Sequence, residues 1–283
     1  MKFKKILICI LAFGIFAGCN NQKSKTDTVI DKIKTEEDIN KSDEKSTKDE
    51  AQPEKVNENA GEDDLDSIEN KAISDAENTV EKLKDSNEKI KAKINSYELY
   101  KQNIEVIEEY YESVVEEQKN LGIRLREYSV EYANLILKSD KSKYEKYDDL
   151  DGIVKGIYED ACDEEENIYE DITDDLEDAF YSGVINDAQD NVDYGEWSKL
   201  GSDEYKNISS LRSELYGDLS DTRSDIYKFY SRLGSEIYGG DYERAEKEVN
   251  RFSEKINKMK EWWLKLMEMY IIIYWNLVCQ PNS

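Results

Sequence analysis

The chain has 283 residues, 65 of them acidic and 39 basic, with no histidine and only two prolines. A formal net charge of −26 repels phosphate backbones and so argues against nucleic acid as a partner. Without histidine there is no Ser-His or Cys-His nucleophile and no imidazole metal site.

The first element is an export-type N-terminus. Lys2, Lys4 and Lys5 precede an apolar run from Ile6 to Phe16, and Ala17-Gly18-Cys19 follows directly. A positive n-region, a short h-region and small residues form the layout of a secretory signal. The run is too short to cross a hydrocarbon core of about 30 Å.

Phe16-Ala17-Gly18-Cys19 resembles the lipobox of bacterial lipoproteins. The resemblance covers about the first 20 residues. It implies cleavage before Cys19, so that 1–18 is a signal peptide, and acylation of Cys19 through a diacylglyceryl thioether. Two acyl chains hold a protein stably on a bilayer where one does not. The implied localisation is the extracytoplasmic face of the cell membrane, with the membrane as a partner through the lipid anchor.

Next comes a tether, assigned to 19–93. From Asn20 to Ser96 there is no Phe, Trp or Tyr. Residues Asn20 to Ala60 are rich in Lys, Asp, Glu, Ser, Thr and Asn, too polar to bury a core. Between 61 and 93 a thin stripe of Leu65, Ile68, Ala72, Ala76, Leu83 and Ile90 suggests a helical stalk.

The folded domain is expected at 94–283. Tyr97, Tyr100, Ile104, Ile107, Tyr111, Val114, Gln118, Leu121, Leu125, Tyr128, Tyr132 and Leu135 step by three and four, a heptad stripe with one polar member, Gln118. The middle changes period. Tyr147, Tyr158, Tyr169 and Phe180 are eleven apart, and so are Tyr194, Tyr205, Tyr216, Tyr227 and Tyr238. Serines recur at 198, 209, 220 and 231 and at 202, 213, 224 and 235. This internal repeat corresponds to about 3.67 residues per turn, close to the natural α-helix. Its apolar stripe runs through Leu150, Val154, Ile157, Ala161, Ile168, Ile172, Leu176 and Ala179, then through Ile208, Leu211, Leu215, Leu219, Ile226, Leu233 and Ile237. Gly195 and Gly201 argue against helix at the start of the second set. The last stripe runs from Tyr242 to Leu277.

These patterns predict an all-α fold: an elongated antiparallel four-helix bundle or coiled coil of helices at 94–138, 142–185, 203–237 and 241–279, with mixed 7- and 11-residue periods. In that topology the apolar tip from Met269 to Cys279 lies at the end where the tether enters, packed in the bundle or against a second protein. Cys162 and Cys279 fall about 27 Å apart in level at 1.5 Å per residue, too far for a disulfide, and are expected unpaired.

Between Gly156 and Ser198 there are sixteen acids and no base. Calcium needs six to eight converging oxygens, and the frame around Asp187, Asp190, Asn191, Asp193 and Gly195 puts Val192 and Tyr194 at ligand positions. Non-specific association of divalent cations is expected, with no metal or cofactor site. Acidic pairs could serve acid–base catalysis, but they are too numerous to single one out, and no catalytic residues are assigned. The chain is not expected to be an enzyme. The sequence points to an interaction or scaffold module at the cell envelope with a protein partner, a basic one by charge. The alternative is a cation- or ligand-binding receptor that uses the acidic helix or the Tyr/Ser face.

Overall fold

The computed structural model describes residues 60–278, with side chains at 63–265 and 268–269. The lipobox, Cys19 and the signal peptide lie outside the described residues. The described residues are all-α, without a strand, and form a helical bundle.

Five long helices follow one another: α1 (Ala60–Lys91), α2 (Tyr97–Lys138), α3 (143–191), α4 (Tyr194–Gly239) and α5 (Tyr242–Val278). The ends are set locally. Ser96 caps α2 by accepting from the Leu99 amide. Ser142 and Glu145 form a reciprocal capping box at the start of α3. Gly240, at φ 75°, closes α4 in the left-handed conformation that glycine adopts without strain.

Ion pairs and hydrogen bonds fix the directions. Glu69, Asp75 and Lys82 meet Tyr132, Arg124 and Glu117, so α1 and α2 are antiparallel. Gln118 and Arg126 meet Leu215 and Thr222, so α2 and α4 run parallel. Lys84 and Lys91 pair with Asp171 and Asp175, which aligns α1 with α3. α5 packs on α2 and α4, antiparallel to both, with Phe229 stacked on Phe252 at 4.4 Å and Lys260 paired with Glu127.

Four expectations change. The segment 61–93 is no stalk. Leu65, Ile68, Ala72, Ala76, Val80, Leu83 and Ile90 are all buried as α1 packs on α2 and α3, so the bundle starts near residue 60 rather than 94. The stripe reads thin because two of its members are alanines, which bring the backbones close. Helix also runs through Gly195 and Gly201. Asp193 caps it by accepting from the Glu196 amide, and a Cβ at Gly201 would make only ordinary contact, 3.4 Å from Ile185 Cδ1. The C-terminal helix is a fifth member, seated over α2 and α4. Finally, α1 enters where α2 ends and α5 begins, so α5 finishes at the opposite end of the bundle from the chain's entry. The apolar tip is therefore far from that entry, and its side chains from Tyr270 onward lie outside the described residues.

The eleven-residue repeat takes two forms. α4 is regular α-helix throughout. α3 contains wide π-helical turns at Ile153–Ala161, Ile168–Ile172 and Tyr181–Ile185. Ile168, Ile172, Leu176, Phe180, Val184 and Ala188 are buried at successive steps of four. At 3.6 residues per turn those five steps would rotate the stripe by about 200°. The π turns absorb that drift and keep the row facing the core. They also bury Ile153 in place of the expected Val154.

One close approach makes a test. A Cβ on Gly183 would stand 2.4 Å from the Ile94 carbonyl oxygen and 2.8 Å from the Asn95 Cα. Both belong to the α1–α2 connection, which is also tied down by the Tyr97 amide donating to Asp187. Gly183→Ala should destabilise the fold by about 1–3 kcal/mol through backbone overpacking. Gly217→Ala, in open space on α4, should stabilise it by up to about 1 kcal/mol. Thermal melts that shift the two variants in the same direction would refute this account.

Candidate functional site

The two halves of the repeat pair with each other. α3 and α4 run antiparallel, and Tyr147 meets Tyr238, Tyr158 meets Tyr227 and Tyr169 meets Tyr216, with ring centroids 5.5, 5.8 and 5.6 Å apart. The rings form the rungs of a ladder along the α3/α4 seam. On α4 they are about half exposed, from 49% at Tyr227 to 58% at Tyr216. The sequence places these tyrosines beside the apolar stripe, and the pairing explains why both sets share one period.

Arginine follows the same period. Arg212 donates to Thr173, Asp174 and Glu177. Eleven residues on, Arg223 donates to the Cys162 carbonyl and Asp163 and pairs with Glu166. Each guanidinium thus staples α4 to a carboxylate pair on α3. Glu159 and Glu170, each next in sequence to a ladder tyrosine, stay exposed. At the end of the ladder the Lys143 ammonium lies 4.9 Å from the Tyr144 ring centre and 5.9 Å from that of Tyr238.

Beneath this face lies a polar layer in the core. Gln118 donates to the Leu215 carbonyl at 2.7 Å and to the Glu165 carboxylate at 3.4 Å. Arg126 donates to the Gly122 carbonyl, to Thr222 Oγ1 and to Asp225. Gly122 lets these groups converge, because a Cβ there would stand 2.5 Å from Thr222 Oγ1. Glu165 is fully buried, and desolvation raises its pKa to about 8 despite the opposing field of Arg126. Desolvation also raises Asp218 to about 6, against the pull of Lys119, and holds the buried Cys162 thiol well above its usual range. Cys162 is a free thiol. Cys279 lies outside the described residues. A second buried carboxylate, Glu204, accepts from the hydroxyls of Tyr100 and Tyr111.

On the side of the layer lined by α2, α4 and α5, a groove of about 370 Å³ opens beside Lys119, Asp218, Met259, Trp262 and Trp263. Among the described residues, no three Cys, Asp or Glu side chains gather as a metal ion would require, and no helix is long and apolar enough to cross a membrane. Sequence reasoning found Gln118 and the tyrosine repeat. It missed Glu165, Arg126 and Thr222. Comparison of the chain with protein-family models, with curated proteins and with solved structures finds no match.

Proposed function

We propose that the chain is a membrane-anchored extracytoplasmic lipoprotein whose helical bundle acts as an interaction or scaffold module at the cell envelope. In this reading α1 to α4 form an elongated four-helix core that mixes 7- and 11-residue periods, and α5 is added to it. The anchor reading rests on Phe16-Ala17-Gly18-Cys19. The interaction reading rests on one observation, the half-exposed tyrosine ladder along the α3/α4 seam. Tyrosine is enriched at protein interfaces, and exposed rings aligned on one face mark a surface for a partner. The surrounding carboxylates select a partner of opposite charge.

Site-specific photo-crosslinking in intact cells tests both parts. A photoreactive side chain at Tyr205, on the ladder face, should give protein adducts in the membrane fraction, whereas one at the exposed Asp85 on α1 should not. Cys19→Ala should send the chain to the medium or leave it unprocessed. Equal adducts from both positions would remove the ladder from the proposal. A processed, membrane-bound Cys19→Ala chain would remove the lipid anchor.

A further inference from the structure

We infer that the inner rungs, Tyr158–Tyr227 and Tyr169–Tyr216, are seats for the ammonium and guanidinium groups of a basic helix supplied by a partner protein. This rests on the reading of the ladder as an interaction face and names what that face recognises. Three observations carry it.

The first is that the ladder already holds a cation. Lys143 sits over Tyr144 and Tyr238 at the last rung, where the negative faces of the rings attract it. The inner rungs repeat the Tyr147–Tyr238 pairing at 5.8 and 5.6 Å, without the added Tyr144 ring, and among the described residues no lysine sits over Tyr158, Tyr169, Tyr216 or Tyr227.

The second is charge. Glu159, Asp163, Glu166, Glu170, Asp174 and Glu177 recur along α3 beside the seam, on a segment from Gly156 to Ser198 without a single base. Arg212 and Arg223 neutralise part of that row. Glu159 and Glu170 remain exposed beside Tyr158 and Tyr169. An ammonium over a rung therefore meets a π face and a carboxylate together.

The third is spacing. Successive rungs are eleven residues apart, about 16 Å along a helix at 1.5 Å per residue. A helix lying in the seam between α3 and α4 keeps pace with them if its cations also recur every eleven residues. An unpatterned basic chain would satisfy the carboxylates but not the rings.

The test is calorimetric titration of the full chain with two alanine-based helical peptides of equal charge. One carries its lysines every eleven residues on one face, and the other spreads them around the helix. The first should bind more tightly. Replacing Tyr158, Tyr169, Tyr216 and Tyr227 together by Ala should weaken it about 15-fold, at about twofold per ring removed. Replacing the same four by Phe, which keeps the ring and drops the hydroxyl, should retain binding. Far-UV circular dichroism checks that each variant is folded, and if the Ala variant does not fold, a preference for the spread-lysine peptide by wild type and Phe variant overturns the inference. Equal affinity for both peptides, lost on replacing Glu159 and Glu170 by Gln but indifferent to the rings, would overturn the cation seats and leave the acidic interaction face standing. Absence of binding by either peptide would overturn both.

Discussion

Arg126→Met should lower the stability of the bundle by about 3–5 kcal/mol, the usual cost of removing one member of a buried charge pair. Arg126 is only 3% exposed. Its guanidinium satisfies the Gly122 carbonyl, Thr222 Oγ1 and the Asp225 carboxylate at once. Methionine fills the space but leaves Asp225 with Lys255 alone and takes away the positive field that opposes the desolvation of Glu165. In a domain of this size each kcal/mol shifts the melting temperature by about 2–4 °C, so a fall near 10 °C is expected. Arg126→Lys should recover only part of it, because an ammonium cannot reproduce the planar fork. A melting temperature for Arg126→Met within 2 °C of wild type would show that the layer is not a stabilising network.

The bundle should also lose stability as the pH rises from about 4.5 toward 8, and Glu165→Gln should remove much of that loss. Folded Glu165 keeps its proton up to about pH 8, whereas an unperturbed carboxyl gives it up near 4.5. Between those values the folded state binds more protons than the unfolded state, so the stability that Glu165 contributes is full below about pH 4.5 and drains away as pH rises toward 8. Asp218 acts in the same direction between 3.8 and about 6. General repulsion in a chain of net charge −26 adds to the trend, but it does so almost equally in both proteins. The difference between the two melting curves against pH therefore isolates Glu165. It should widen in favour of the variant from pH 5 to pH 8. Parallel curves would mean that Glu165 is ionised in the fold.

The polar layer was legible in outline. The expected stripe on α3 steps from Ala161 to Ile168 and omits the turn between them. Glu165 stands in that gap and is buried there. The stripe on α4 likewise steps from Leu219 to Ile226, and buried Thr222 fills the space. What hid Glu165 is its company. It is one of four consecutive acids, Asp163 to Glu166, and such a run reads as a solvated face. Arg126 was hidden differently. α2 packs against neighbours on several sides, so residues flanking its heptad stripe are buried too, and periodicity alone marks one face only. α1 went unrecognised as a bundle member because alanines and scattered aliphatics carry a weak signal, although at Ala72 and Ala76 small size is what permits the contact. The eleven-residue period was plain in the tyrosines. The π turns were not, because they show only as a preference for steps of four over three.

The pairing of one repeat against another also bears on direction. The tyrosine positions of two such repeats laid antiparallel are related by a local two-fold axis perpendicular to the helices, which the π turns of α3 and the arginines of α4 do not obey. The rungs therefore present the same spacing from either end of the seam. A helix bound across them can lie in either polarity, and a slip by one repeat costs one rung and keeps the rest. Polarity has to be encoded where the symmetry breaks. At one end Lys143 covers the Tyr238 ring. At the other, Phe180 takes the tyrosine's place in the repeat and turns inward to pack on Tyr100. Those two termini, with the arginines that α4 alone contributes, are where a partner would be told which way round to lie.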